Sequence, residues 1–224
     1  MVRRVAAEAL GTAFLLMAVV GSGIMGERLA EGNVAIALLA NSVATGAALV
    51  ALILAFGSIS GAHFNPVVTL ADAMQGGIGW SEVPGYVAAQ LTGAFCGVAA
   101  AHAMFGLPVF FASRHVRSGG ALAWSEFVAT FGLLAVIWGC SRARSSATSF
   151  AVGGYITAAY WFTASTSFAN PAVTLARMAS DTFAGIRPAD APAFIVAQLA
   201  ATGVAVFFFR WLLPGQPKVS PGKV

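Results

Sequence analysis

The amino-acid sequence predicts an all-α membrane protein: six transmembrane helices plus two re-entrant half-helices, arranged as an inverted 3+3 repeat. Three observations lead there. First, 58% of the 224 residues are hydrophobic and only 9% are charged. A soluble domain carries roughly 25% charged residues, so this chain has too few charges to cover a water-facing surface. Second, the octamer Asn65-Pro66-Val67-Val68-Thr69-Leu70-Ala71-Asp72 returns as Asn170-Pro171-Ala172-Val173-Thr174-Leu175-Ala176-Arg177, identical at six of eight positions. A repeat of this kind sets the architecture before any single motif is read. Third, each octamer sits between the second and third apolar span of its half. Three spans per half is an odd number, so the halves face opposite ways across the membrane, with their shared site near the midplane.

The elements follow in order. Met1-Val2-Arg3-Arg4 before an apolar run is like a secretory leader. Glu8 interrupts it, however, and the run to Met25 reaches the ~20 residues a span needs. It is read as a retained first helix, Val5 to Met25. A polar turn, Gly26 to Asn33, leads to a second span, Val34 to Phe56. The stretch from Gly57 to Phe64 is too rich in Gly and Ser for a spanning helix. A half-helix runs from Pro66 to Gln75. It opens on proline at its first position, where a missing N–H costs nothing, and ends at Gly76-Gly77. The third span is Pro84 to Phe105, and a long connection, Gly106 to Gly120, follows it. The fourth span is Ala121 to Trp138 and the fifth is Ala147 to Ala164. The second half-helix ends near Ser180, and the sixth span is Ala191 to Leu213. The repeats cover about 1–113 and 114–213 of a single membrane domain. The polar, Pro/Gly-rich segment 214–224 is read as a disordered tail.

Further pairs support the repeat. Glu8-x-x-x-Thr12 matches Glu126-x-x-x-Thr130, and Gln90-Leu91 in the third span matches Gln198-Leu199 in the sixth. With both termini cytoplasmic, Arg3, Arg4, Arg142, Arg144, Arg210, Lys218 and Lys223 lie inside, against Arg28, Arg114, Arg117, Arg177 and Arg187 outside. Seven against five is a positive-inside bias that favours a multi-pass protein of the cell's inner (plasma) membrane with cytoplasmic termini. The net charge of +4 reflects these flanking residues, so no nucleic-acid partner is expected. Cys96 and Cys140 lie in apolar runs and are read as small buried hydrophobes. Gly11, Gly46, Gly93, Gly97, Gly132 and Gly203 suit close helix packing. Trp80, Trp124, Trp138 and Trp211 are read as interfacial anchors. Neither the histidines nor the cysteines show metal-ligand spacing. There is no nucleophile with a paired base and no phosphate loop, so neither an enzyme nor a cofactor is expected.

Non-helical backbone at membrane depth is tolerated only where protein buries it or a wet cavity bathes it. The Gly/Ser-rich approaches to both Asn-Pro segments need such a cavity. Two half-helices meeting there would point their N-termini at the middle, each equivalent to about half an elementary positive charge. Such a centre repels cations and protons. Each asparagine adds N–H donors and a carbonyl without charge, and the extended approaches add carbonyl acceptors. One Asn-Pro copy is most simply a helix cap. Two copies at matching places in two halves describe a polar, uncharged lane for neutral hydrogen-bonding molecules.

Ser60-Gly61-Ala62-His63-Phe64-Asn65-Pro66 and Asn170-Pro171-Ala172 resemble the signatures of the major intrinsic proteins, the aquaporins and aquaglyceroporins, over about residues 3 to 213. The resemblance implies an aquaporin-like fold, one pore per subunit and a homotetramer in membrane lipid. It makes Asn65 and Asn170, with Pro66, Pro171, Val67 and Ala172, the pore centre. Gly61, Ala62, His63, Thr166, Ser167 and Phe168 would present pore carbonyls. Glu8 and Glu126 would brace the two loops.

The sequence departs from the family where the narrowest point is expected. The residue after the second Asn-Pro-Ala, an arginine in the family, is Val173, and Val67 replaces an alanine. By the family's spacing the other selectivity-filter positions are Thr45, Ala158 and Ser167. All four are small and uncharged, which implies a wider constriction without a fixed charged donor. Arg177, four residues on, shares the face of Val173 and lies about 6 Å farther out; it is read as lining the outer vestibule or bonding carbonyls near its helix end, with direct substitution for the missing arginine as the alternative. The segment Tyr160 to Val173 resembles the bacterial aquaglyceroporins of arsenic-resistance operons. By that likeness the permeants would be arsenite as neutral arsenous acid, methylated arsenicals, glycerol and water. A water-dominated aquaporin, a coupled secondary transporter of a small polar solute and a closed structural protein are the alternatives.

Overall fold

The computed structural model describes residues 1–143 and 145–212. Arg144 and the expected tail over 214–224 lie outside the described residues. Among the described residues there are eight α-helices: α1 Val2–Leu29, α2 Val34–Ser60, α3 Pro66–Gln75, α4 Val83–Met104, α5 Gly120–Ala143, α6 Thr148–Phe162, α7 Pro171–Arg177 and α8 Ala191–Leu212. Five of them, all but α3, α6 and α7, are long and apolar enough to cross a membrane. The sixth crossing is α6. It has 15 residues, about 22 Å at the helical rise. A 3-10 turn over Ser145–Ala147 precedes it and Thr163 leaves it in extended conformation.

Local chemistry sets the boundaries. The Asn33 side chain accepts from the Ala35 and Ile36 N–H groups and starts α2. The first helix runs on to Leu29, so the polar turn is shorter than its composition implies. The second helix likewise runs through Gly57 and Ser58 to Ser60, and stops only where Gly61 takes a left-handed φ of 88°. The Gly/Ser-rich stretch is therefore half helix and half loop, because glycine and serine weaken a helix without forbidding it. The second half-helix ends at Arg177 rather than near Ser180; Met178 to Ser180 form turn-like bonds instead.

The helices form two groups, α1 with α2 and α4, and α5 with α6 and α8, joined along α2 and α6. The half-helices cross between groups: α3 packs on α8 as well as α4, and α7 on α4 as well as α8. Helices α1 and α4 approach so closely that a Cβ at Gly93 would overlap the Ala9 carbonyl, and one at Gly97 the Ala13 carbonyl. A Cβ at Gly203, by contrast, would meet nothing, so that glycine serves no close crossing. The outward faces carry Ile36, Leu39, Leu54, Phe150 and Phe207, all exposed, which suits lipid. Trp80, Trp124 and Trp211 are exposed, whereas Trp138 is core, packed edge-on against Phe209 at 5.3 Å. Cys96 is exposed and Cys140 half-buried, so neither is the buried hydrophobe expected.

The connection between α4 and α5 is laid against the chain after α7. Phe111 N–H donates to Ala179 O and Ser113 N–H to Met178 O. His102 is fully buried, with Nδ1 2.8 Å from Val109 O and Nε2 2.8 Å from Ser180 Oγ. It ties the end of α4 to the same strap.

Candidate functional site

Each half-helix begins at an asparagine that caps it. Asn65 Oδ1 accepts from Val67 N–H at 3.0 Å, and Asn170 Oδ1 accepts from Ala172 N–H at 2.9 Å and Val173 N–H at 3.3 Å. The amide nitrogens cross over. Asn65 Nδ2 donates to Ala169 O and Asn170 Nδ2 to Phe64 O, both at 2.8 Å. Each amide nitrogen has two hydrogens, and the handshake takes one. That leaves one donor per asparagine for the cavity, half of what the composition of the pair offers. Pro66 and Pro171 sit behind at the first helical positions.

The peptides leading to the asparagines are held open by buried carboxylates. Glu8 accepts from Ser60 Oγ, His63 N–H, Phe64 N–H and Gln90 Nε2. Glu126 accepts from Phe168 N–H, Ala169 N–H and Gln198 Nε2. The same glutamines also donate to Thr69 and Thr174 on the half-helices. Both approaches contain non-glycine residues in the left-handed region: Ala62 and Phe64 at φ 50°, Thr166 at 62°, Ser167 at 51° and Ala169 at 47°. Such conformations persist only where the surroundings impose them. Here the glutamates do so, by accepting two consecutive N–H groups in each half.

A cavity of about 730 Å³ runs along both approaches. Of the residues singled out in the sequence, Thr45, Gly61, Ala62, His63, Asn65, Ser167, Phe168, Asn170, Val173 and Arg177 line it. Pro66, Val67, Thr166, Pro171 and Ala172 do not. The departure at Val67 therefore falls inside the protein, where that residue is fully buried. Val68 and Val173, each three residues after its asparagine, both face the cavity.

Ala158 is corrected. It is exposed on the outside of α6, and the face of α6 on the cavity is Thr148, Val152, Ile156 and Tyr160, one turn apart each. Tyr160 is buried and its hydroxyl lies 3.3 Å from Thr45 Oγ1. The α6 side of the cavity wall thus carries a phenol rather than a methyl. No local signal marks that face, because α6 is apolar all round. Nearby, Ser167 Oγ is buried with no hydrogen-bond partner among the described residues.

The two ends of the cavity carry different charges. At one end Asp72 and Arg4 join its wall. Asp72 Oδ2 lies 3.8 Å from His63 Nε2, and Arg4 pairs with Glu82. Asp72 is thus a wall residue. At the other end Arg177 is buried, its guanidinium carbon 3.4 Å from the Phe168 ring centroid, with Nε donating to Ala184 O. Arg117 approaches the same ring at 5.1 Å and donates to Gly185 O, Ser165 O, Thr166 Oγ1 and Phe183 O. Arg117 was legible in the sequence only as an outer-loop charge. Outside the membrane-spanning segments, Asp190 accepts from Arg187 Nη2 and from Arg117 N–H, which hold its carboxyl below the usual range. Arg114 does the same for Asp181. Among the described residues no group of three His, Cys, Asp or Glu could hold a metal ion.

The pattern of the major intrinsic protein family matches residues 1–153. The aquaglyceroporin AqpS of Rhizobium meliloti (strain 1021) is 53% identical over 216 residues, covering 96% of this chain and 92% of that protein. The aquaporin NIP1-1 of Zea mays is 34% identical over 166 residues, which cover 69% of this chain and 56% of the maize protein. The X-ray structure of the aquaglyceroporin from Plasmodium falciparum superposes with a TM-score of 0.76, covering 95% of this chain and 97% of that one. At 22% identity that likeness speaks for the fold alone.

Proposed function

The chain belongs to the major intrinsic protein family, and from that premise we propose an aquaglyceroporin that conducts arsenous acid, methylated arsenicals, glycerol and water. It is a passive membrane channel for small neutral solutes, not an enzyme. In this reading Asn65 and Asn170 are the central donors. Carbonyls of the two approaches supply the acceptors. Thr45, Tyr160, Ser167 and Val173 form the selectivity filter, and Glu8 and Glu126 hold the lane open. The channel works as a homotetramer in the inner (plasma) membrane, with cytoplasmic termini.

The observation that carries the reading is Val173, an apolar side chain on the cavity wall where the family's arginine would stand. Valine is shorter and donates no hydrogen bond, so it leaves room and places no fixed donor there. Arsenous acid and glycerol each carry three hydroxyls. They suit a lane whose polar groups are hydroxyls, amides and carbonyls. The Thr45–Tyr160 hydroxyl pair offers such a solute both a donor and an acceptor.

Purified protein in proteoliposomes tests the reading. Glycerol and arsenous acid should enter far faster than into empty vesicles, following their gradients and unaffected by a protonophore. Passage of water alone would make the protein a water-dominated aquaporin, and protonophore-sensitive uptake would make it a coupled transporter.

A further inference from the structure

The register of the repeat pairs His63 with Phe168 and Asp72 with Arg177, counting from Asn65 and Asn170. The paired positions repeat one arrangement with opposite chemistry. In the first half a carboxylate faces an imidazole, Asp72 Oδ2 to His63 Nε2 at 3.8 Å. In the second a guanidinium lies 3.4 Å from the centroid of a phenyl ring. Both Asp72 and Arg177 are part of the cavity wall. The fold accepts either sign at this position, so the scaffold does not require a cation there.

Arg177 also differs from its neighbour Arg117. The Arg117 guanidinium spends four of its five N–H donors on three carbonyls and a hydroxyl. Arg177 donates only through Nε, to Ala184 O, among the described residues. Its terminal nitrogens neither pair with a carboxylate nor count among the sealed, partnerless atoms. The residue itself is part of the cavity wall and almost fully buried. Side chains on a helix lean toward its N-terminus, and the contact with Phe168 shows how far this one leans: its guanidinium lies against the ring of a residue in the approach peptide. The buried, partnerless Ser167 hydroxyl is on the same wall.

We propose that Arg177 is a specificity-determining residue of the lane. From one helical turn beyond Val173 it presents guanidinium N–H groups to an oxygen of the passing solute and excludes cations. This rests on the channel reading above. The lane then combines two properties that one arginine at position 173 could not: a wide constriction at Val173 and a retained positive charge beside it. A unit charge about 5 Å from the path, at an effective dielectric of about 20, lowers cation occupancy on the order of 100-fold.

The test compares wild type, Arg177→Met and Arg177→Lys in proteoliposomes, reading glycerol entry and methylammonium and potassium leak at pH 7. Wild type should pass glycerol and hold both cations at least about 100-fold lower. Arg177→Met should keep glycerol flux within severalfold while cation leak rises tenfold or more. Arg177→Lys should stay cation-tight. Methionine as tight as wild type, with glycerol flux retained, overturns the proposal. If the methionine variant is not recovered from the membrane, the neutral Arg177→Gln takes its place on the same terms: cation leak rising tenfold or more sustains the assignment, and a glutamine variant as tight as wild type overturns it. Wild-type vesicles no more permeable to glycerol and arsenous acid than empty ones would break the channel reading itself, a result no Arg177 variant could produce.

Discussion

The two halves of this protein share a frame and differ in what they hang on it. In both, a buried glutamate accepts consecutive backbone N–H groups, a glutamine links that glutamate to a threonine of the half-helix, and a serine caps the approach peptide. Ser60 Oγ accepts from Ala62 N–H and Ser165 Oγ from Ser167 N–H. The differences lie where the frame meets the cavity. The first half presents His63 and Asp72, the second Phe168 and Arg177. Parts that hold backbone open are duplicated with little change, because unsatisfied N–H groups cost the same in either half. Parts that face the solute are free to diverge, because a passing molecule meets the two ends in succession.

The largest expected effect tests the shared frame. Glu126→Ala strands two backbone N–H groups, at about 1–3 kcal/mol each, and should lower the thermal unfolding midpoint in detergent sharply. Glu8→Ala strands the Ser60 hydroxyl as well and should lower it further. A tolerant Glu8 variant beside an intolerant Glu126 variant would break the equivalence of the halves.

Next comes Val173→Arg, which should cut glycerol and arsenous acid entry more than water entry, on the order of tenfold, or about 1.4 kcal/mol of barrier. The same substitution at Val68, the twin position, tests whether the narrow point belongs to the second half alone. Equal loss of all three permeants in Val173→Arg, at matched protein levels, would remove the filter argument.

A smaller effect separates Tyr160 from Ala158. Tyr160→Phe removes the hydroxyl beside Thr45 and should alter glycerol flux severalfold, the scale of about 1 kcal/mol for one hydrogen bond. Ala158→Leu, on the outer face, should leave it unchanged, and a flux loss there would restore the spacing-based assignment.

The smallest concerns the outer strap. Asp190 is held below the usual carboxylate range, first by Arg187. A depressed carboxyl stabilises the fold above its unfolded pKa, and that stability is lost as pH falls through the folded value. Hydrogen-exchange protection of the Arg117 amide should therefore hold from pH 7 to about 5 and fall only below about 4. Loss of protection already between pH 7 and about 5 would rule Asp190 out as the group that holds it.

Much of this was legible in the sequence because the relevant signals are local. Pro66 and Gly76 bound α3 in chemistry that needs no tertiary context, and the doubled Asn-Pro announces itself. The face of α6 was not legible. That helix is apolar all round, so nothing in its pattern says which side meets the cavity. Its distance to Asn170 also passes through left-handed residues that a fixed count cannot follow. The stacking of Arg177 on Phe168 was hidden for a different reason. It joins a helix end to the peptide before that helix begins, a contact set by the direction of one long side chain. The end of α2 at Ser60 was misjudged because composition alone does not locate a left-handed cap.

The asparagine handshake has a consequence for how the chain is made. Asn65 donates to a carbonyl 104 residues away. At 5 to 20 residues per second, the ribosome needs roughly 5 to 20 s to deliver it. Throughout that interval the first half-helix has its capping side chain in place but no partner for the amide, and Phe64 O waits likewise. The first three spans therefore enter the bilayer as an unfinished piece. The waist of the lane closes only once the second half-helix has been made, when each half supplies the bond the other lacks.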